Sequence, residues 1–228
     1  MRYAKLLTAC LLAAAGLAIV NVAQASAIEF VWKVHAKTLA SGEEKSLTSK
    51  AKGTQVLKAS VIGVKTEISC TGVATTAAKI IGGTPGTGSE TVEYSGCTVA
   101  KPSGCKVKGG TIKTVLLKQE IVEGVGSSAG KVEILSTPKE GETFAEPQLE
   151  GGLECLSIAV KGSVLAEANP QRTEGETGVL KFEPAEAKKY KNSKAEEKSA
   201  GLTVAGSAST VTGEVETKLS PAEVFGAF

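Results

Sequence analysis

Apolar and polar residues alternate with period two along most of this chain, and the apolar stretches are short. Phe30, Trp32 and Val34 alternate with Val31, Lys33 and His35, so one face of a first strand buries two large aromatics while the other meets water. Further β-like runs follow over 56–64 and 65–70, where alternation carries Ile68 and Cys70 on one face, and then over 111–117, 120–122, 131–135, 153–160, 163–165, 179–182, 202–205 and 211–219. Residues 74–81 read as an extended segment in competition with a short helix, the Thr pair and the following Gly82-Gly83 favouring the former. Between the runs lie turn-forming clusters at 41–53, 82–89, 124–130, 138–147 and 169–178. The pattern predicts a single all-β domain over 26–228, an antiparallel β-sandwich or partly closed barrel. A β-solenoid is the second choice, resting on a recurrence of Val107-Lys108-Gly109-Gly110, Val160-Lys161-Gly162-Ser163 and Val211-Thr212-Gly213-Glu214.

Two stretches break the pattern. Residues 185–198 are rich in Ala, Glu and Lys and offer the one place for a helix, yet carry too few apolar residues to bury a face; a mobile charged insertion near 185–200 is the competing expectation. The last residues, 220–228, are too few for a helix and read as a turn and an edge strand.

The N-terminus has the form of an export signal. A short basic start with Arg2 and Lys5 precedes an apolar run over 6–22, and Ala23-Gln24-Ala25 supplies the small-x-small site that signal peptidase needs. A signal peptide over 1–25 is expected, which leaves 203 of the 228 residues, enough for one domain with a real core, and no later segment is apolar for long enough to span a membrane.

Charge and composition narrow the chemistry. Lys and Arg number 26 against 24 acids, and Arg2 and Lys5 leave with the signal, so the mature chain is balanced at 24 against 24. A nucleic-acid binder would show a basic excess. Aspartate is absent and His35 is the one histidine, which removes Asp-rich calcium loops, histidine-rich metal sites and a His-Asp relay. No cofactor or metal signature is present.

Four cysteines remain after export: Cys70, Cys97, Cys105 and Cys155. In an oxidising compartment they read as two disulfides, for which three pairings exist. Cys97–Cys105 with Cys70–Cys155 is the expected pairing. It requires a wide loop centred near Lys101, since a tight turn over 101–104 would set Cys105 opposite Ala100.

Motif matches to catalytic chemistry fail on context. Gly126-Ser127-Ser128-Ala129-Gly130 has the spacing of a nucleophile elbow with Ser128 as nucleophile, but a β-like run follows where a helix should, and His35 lies upstream rather than downstream. Gly83 and Gly88 stand at phosphate-loop spacing, with Ser89 in place of the lysine. Glu174 with Glu176 and Glu196 with Glu197 are glutamate pairs, though a glycosidase needs its two carboxylates across a cleft. Lys188-Lys189-Tyr190-Lys191 would suit an anionic wall polymer, offset by Glu196 and Glu197.

Taken together, the signal peptide, Glu67-Ile68-Ser69-Cys70, Tyr94-Ser95-Gly96-Cys97-Thr98-Val99, Ser103-Gly104-Cys105-Lys106-Val107, Leu153-Glu154-Cys155 and the closing Phe225-Gly226-Ala227-Phe228 resemble uncharacterised secreted four-cysteine β-rich proteins of soil actinobacteria. The resemblance covers most of the mature chain and implies an exported β-rich protein; it carries no activity or site residues. The expectation is a secreted or cell-envelope-associated protein without catalytic activity, a binding or structural module whose partner is a cell-wall polymer or an extracellular protein. An extracellular hydrolase of polysaccharide or ester substrates, using glutamates or Ser128, is the alternative.

Overall fold

A computed structural model describes residues 28–61, 63–153, 155 and 157–228; the export signal read over 1–25 lies outside the described residues. Eight strands form a closed antiparallel barrel. They are β1 (Glu44–Val61), β2 (Gly72–Ile81), β3 (Thr87–Ser95), β4 (Leu117–Gly124), β5 (Val132–Pro138), β6 (Val164–Asn169), β7 (Gly178–Phe182) and β8 (Ser207–Ser220). Each pairs with the next in chain order, and β8 closes on β1 in a long register running from Thr210 opposite Lys58 to Ser220 opposite Ser46. Closure leaves these eight strands no free edge between them.

The alternation in the sequence decides which residues enter the barrel. Leu117 and Ile121 of β4, Val132 and Ile134 of β5, and Val215 and Leu219 of β8 are buried, while Lys118, Glu120, Glu216 and Lys218 point out. One bulge matters to this register. At Gly213, φ is +142° and the ladder to β1 slips, and the Gln55 side chain fills the gap by donating to the Glu214 carbonyl at 2.8 Å.

Both ends of the barrel are filled. At one end the strand Trp32–Val34 is flanked by Lys37–Thr38 and by the C-terminal strand Phe225–Ala227, and this small sheet inserts Trp32, Val34 and Phe225 among Ile80, Ile121 and Leu219. At the other end Phe144, Val160, Leu202 and Val204 pack with Ile68, Val92 and Leu117 beneath strands that extend the wall. Each large side chain so buried stabilises the fold by about 1.5–3 kcal/mol. Outside, lysines face glutamates across neighbouring strands, with Lys50–Glu216 at 3.0 Å, Lys52–Glu214 at 3.2 Å and Lys79–Glu44 at 2.7 Å. Among the described residues no helix is long and apolar enough to cross a membrane.

The structure corrects several expectations. The disulfides are Cys70–Cys97 and Cys105–Cys155. Strand Thr98–Lys101 pairs with Val64–Cys70, opposing Thr98 to Ser69 and so setting Cys97 beside Cys70; strand Lys106–Val107 instead pairs with Leu149–Glu150, carrying Cys105 to the loop that holds Cys155. A partner strand drawn from elsewhere in the chain thus overrides the local turn that would have joined Cys97 to Cys105. The charged stretch expected as a helix or mobile insertion is a hairpin, Lys188–Lys191 with Glu197–Ala200, whose Tyr190 packs on the outer wall with Val122, Leu135 and Leu165. The solenoid reading falls because its three glycine sites are not equivalent: one lies in a 3-10 turn, one ends the strand Val160–Gly162, and one is the β8 bulge. Among the described residues of the strand expected over 153–160, Val160 alone is in a strand, Val160–Gly162.

Candidate functional site

Between the two apolar ends the barrel has a polar waist. Glu90 of β3 and Gln119 of β4 point inward, as do Ser136 of β5, Thr217 of β8, Ser49 of β1 and Thr75 of β2, by the same alternation that buries their apolar neighbours. Ser49 stands opposite Thr217, and Gln119 opposite Ser136. The Gln119 Nε2–H donates to Glu90 Oε1 at 2.8 Å, and the Thr217 hydroxyl donates to the Gly178 carbonyl at 3.3 Å. The buried hydroxyls of Ser49 and Thr75 have no protein partner. A cavity of about 40 Å³ lies between Glu90, Gln119, Thr217, Trp32 and Phe225. It has room for water and is far below the roughly 300 Å³ at which small-molecule sites begin.

Burial pushes the Glu90 carboxyl up to about 7. Desolvation disfavours the ionised form, and among the described residues no cation lies against it; the amide hydrogen bond from Gln119 serves either form. Burial also pushes the Tyr94 hydroxyl up, with a smaller contribution from Glu90. Burial therefore favours the protonated, neutral form of Glu90 well above the usual carboxylate range. Trp32 lines the same cavity, its indole N–H donating to the Thr87 carbonyl at 2.8 Å. Among the described residues lining the cavity, Glu90 is the one carboxylate, so a paired acid and base of the glycosidase kind is not assembled there.

The residues singled out in the sequence fall elsewhere. Ser128 sits in the 3-10 turn between β4 and β5 and is 2% exposed. His35 lies at the tip of the N-terminal hairpin, its Nε2 3.4 Å from Glu223 Oε2, so it has no part in activating Ser128. The glycine-rich segment 82–89 is a packed connector, for the Gly86 N–H donates to the Phe30 carbonyl and a Cβ there would strike Trp32 and Ile121. Glu174 accepts from the Ala36 N–H at 2.8 Å, while Glu196 and Glu197 pair with Lys198 and Lys189 on the outer hairpin. Trp32 is a core residue rather than a stacking platform. Among the described residues no group of three His, Cys, Asp or Glu is placed to hold a metal ion.

A second feature lies on the surface. The segments 108–115 and 144–148 are hydrogen-bonded at both ends, the Lys108 N–H donating to the Gln148 carbonyl at 2.8 Å and the Val115 N–H to the Phe144 carbonyl at 3.1 Å. They part between these contacts and leave an open slot of about 350 Å³. Lys108 and Lys113 stand on one wall, Glu146 and Gln148 on the other. Neither the waist nor the slot was singled out from the sequence. An inward-parity Glu90, in step with Val92 and Tyr94, was the available signal for the first; the second depends on segments brought together by the fold.

Compared with known protein families, curated proteins and solved structures, the chain matches none. What fold and site define is a class, a disulfide-bonded up-and-down β-barrel with a filled interior and a buried glutamic acid at its waist.

Proposed function

We propose that the mature chain is an exported, non-catalytic module of the cell envelope or its surroundings that acts through its outer surface, by binding or as a structural component. The observation that carries this reading is the filling of the barrel by its own side chains, from Trp32 and Phe225 at one end to Phe144 at the other, which leaves the exterior as the surface a partner meets. Two disulfides fit an oxidising space, and the Ala23-Gln24-Ala25 site fits export. N-terminal sequencing of protein recovered from the envelope and medium tests export: a start at Ser26, or within a residue or two of it, supports the reading, and retention of the intact chain in the cytoplasm overturns it.

The hydrolase alternative draws on one observation, the near-neutral titration of Glu90, a property shared with general acids. Purified mature protein assayed against ester and polysaccharide substrates separates the two readings. The non-catalytic reading expects no turnover above the uncatalysed rate; turnover that disappears in Glu90→Gln would replace it with the hydrolase.

A further inference from the structure

We propose that the slot between 108–115 and 146–148 binds a carboxylated oligosaccharide, a chain of uronic-acid-type sugars. The inference rests on the surface-acting reading above and names its ligand class. Most lysines of this protein are matched to a glutamate, as along β1 and β8, but the Lys108 and Lys113 ammonium groups make no ion pair or side-chain hydrogen bond among the described residues. Two unspent cations on one wall suit carboxylates spaced along a polymer. The opposite wall offers Glu146 and Gln148, whose oxygens and amide suit sugar hydroxyls, and the exposed Val115 beside them suits the C–H face of a pyranose ring. The slot volume of about 350 Å³ lies within the range of small-ligand sites.

The walls are set before any ligand arrives. Thr114 and Val92 exchange hydrogen bonds at 2.9 Å through backbone and hydroxyl, the Cys97 N–H donates to the Gly110 carbonyl at 3.0 Å, and the Cys70–Cys97 and Cys105–Cys155 bridges hold the strands that enter and leave the slot. A preformed site loses little ordering entropy on binding.

The test is an NMR titration of the mature protein, in about 0.1 M salt, with short oligogalacturonate, a neutral malto-oligosaccharide of equal length and a polyglutamate peptide. Oligogalacturonate is expected to shift the amide signals of 108–115 and 146–148, the neutral oligomer to leave them in place, and K108A/K113A to weaken binding by about tenfold or more. Lys37→Ala, a surface lysine change far along the chain, should leave binding unchanged. Absence of shifts with oligogalacturonate, equal binding by the double variant, equal binding of the neutral oligomer, or tighter binding of polyglutamate would each overturn the slot assignment while leaving the surface-acting reading in place. Cleavage of the oligomer, or shifts confined to Glu90 and Gln119, would overturn that reading itself.

Discussion

Glu90 holds its proton in the folded barrel up to about pH 7 and releases it near 4.5 when its carboxyl is in water. Between those values the native state binds a proton that the unfolded chain has lost, so its contribution to stability is fully present below about pH 4.5 and falls away as pH rises through about 7, by about 3 kcal/mol. Urea unfolding between acidic and mildly alkaline pH should show that decline in the midpoint, and Glu90→Gln, which keeps the shape without the charge, should flatten it and exceed the wild type in alkaline buffer. A midpoint independent of pH in the wild type would contradict the burial of this carboxyl. Gly213 is constrained for a different reason: its φ of +142° disfavours any side chain, and an added Cβ would strike the Gln55 amide. Gly213→Ala is expected to lower stability by about 1–3 kcal/mol in the same assay.

At the scale of elements, the two disulfides do different work. Cys70–Cys97 closes 27 residues around the Val64–Cys70 and Thr98–Lys101 pair, and Cys105–Cys155 closes 50 residues beside the two-residue strand pair Lys106–Val107 and Leu149–Glu150. In the chain-entropy model the first stabilises by about 3.6 kcal/mol and the second by about 4 kcal/mol. Replacing Cys105 and Cys155 together by serine should therefore cost at least as much unfolding free energy as replacing Cys70 and Cys97, read from denaturant midpoints at constant slope. The hairpin Lys188–Lys191 with Glu197–Ala200 shows why local composition misled. Its lysines and glutamates favour a helix in isolation, but Tyr190 finds an apolar patch of Val122, Leu135 and Leu165, and Lys188 reaches the fully buried Glu133 at 2.8 Å. Neither partner adjoins it in the chain.

For the whole molecule, the strands Trp32–Val34 and Phe225–Ala227 close the same end of the barrel. Trp32 to Val34 pair with Phe225 to Ala227, so this end of the interior is complete only when both strands have docked. Phe225→Ala is expected to cost about 3–5 kcal/mol and to admit a hydrophobic dye to the barrel, seen as fluorescence that the wild type lacks; an unchanged midpoint and no dye binding would show that the C-terminal strand is dispensable to closure. The all-β class, the first strand with its buried Trp32 and the four bonded cysteines were legible because each depends on alternation or residue type within a few positions, whereas the stretch 41–53, read as a turn cluster from its polar residues, is mostly strand β1, which its pairing with β2 and β8 holds extended. Disulfide partners, the waist and the slot were not, because each joins residues separated by tens of positions.

By itself the sequence determined the period-two pattern, hence strands with one apolar face, and a pool of cysteines whose oxidation strengthens such a fold. Tertiary structure decided that β8 returns to β1 and closes the sheet, which cysteine faces which, and that Glu90 ends buried at the waist rather than on the surface. The physical reason is that alternation fixes the face on which a side chain lies, whereas its neighbours on that face come from whichever strands close the barrel.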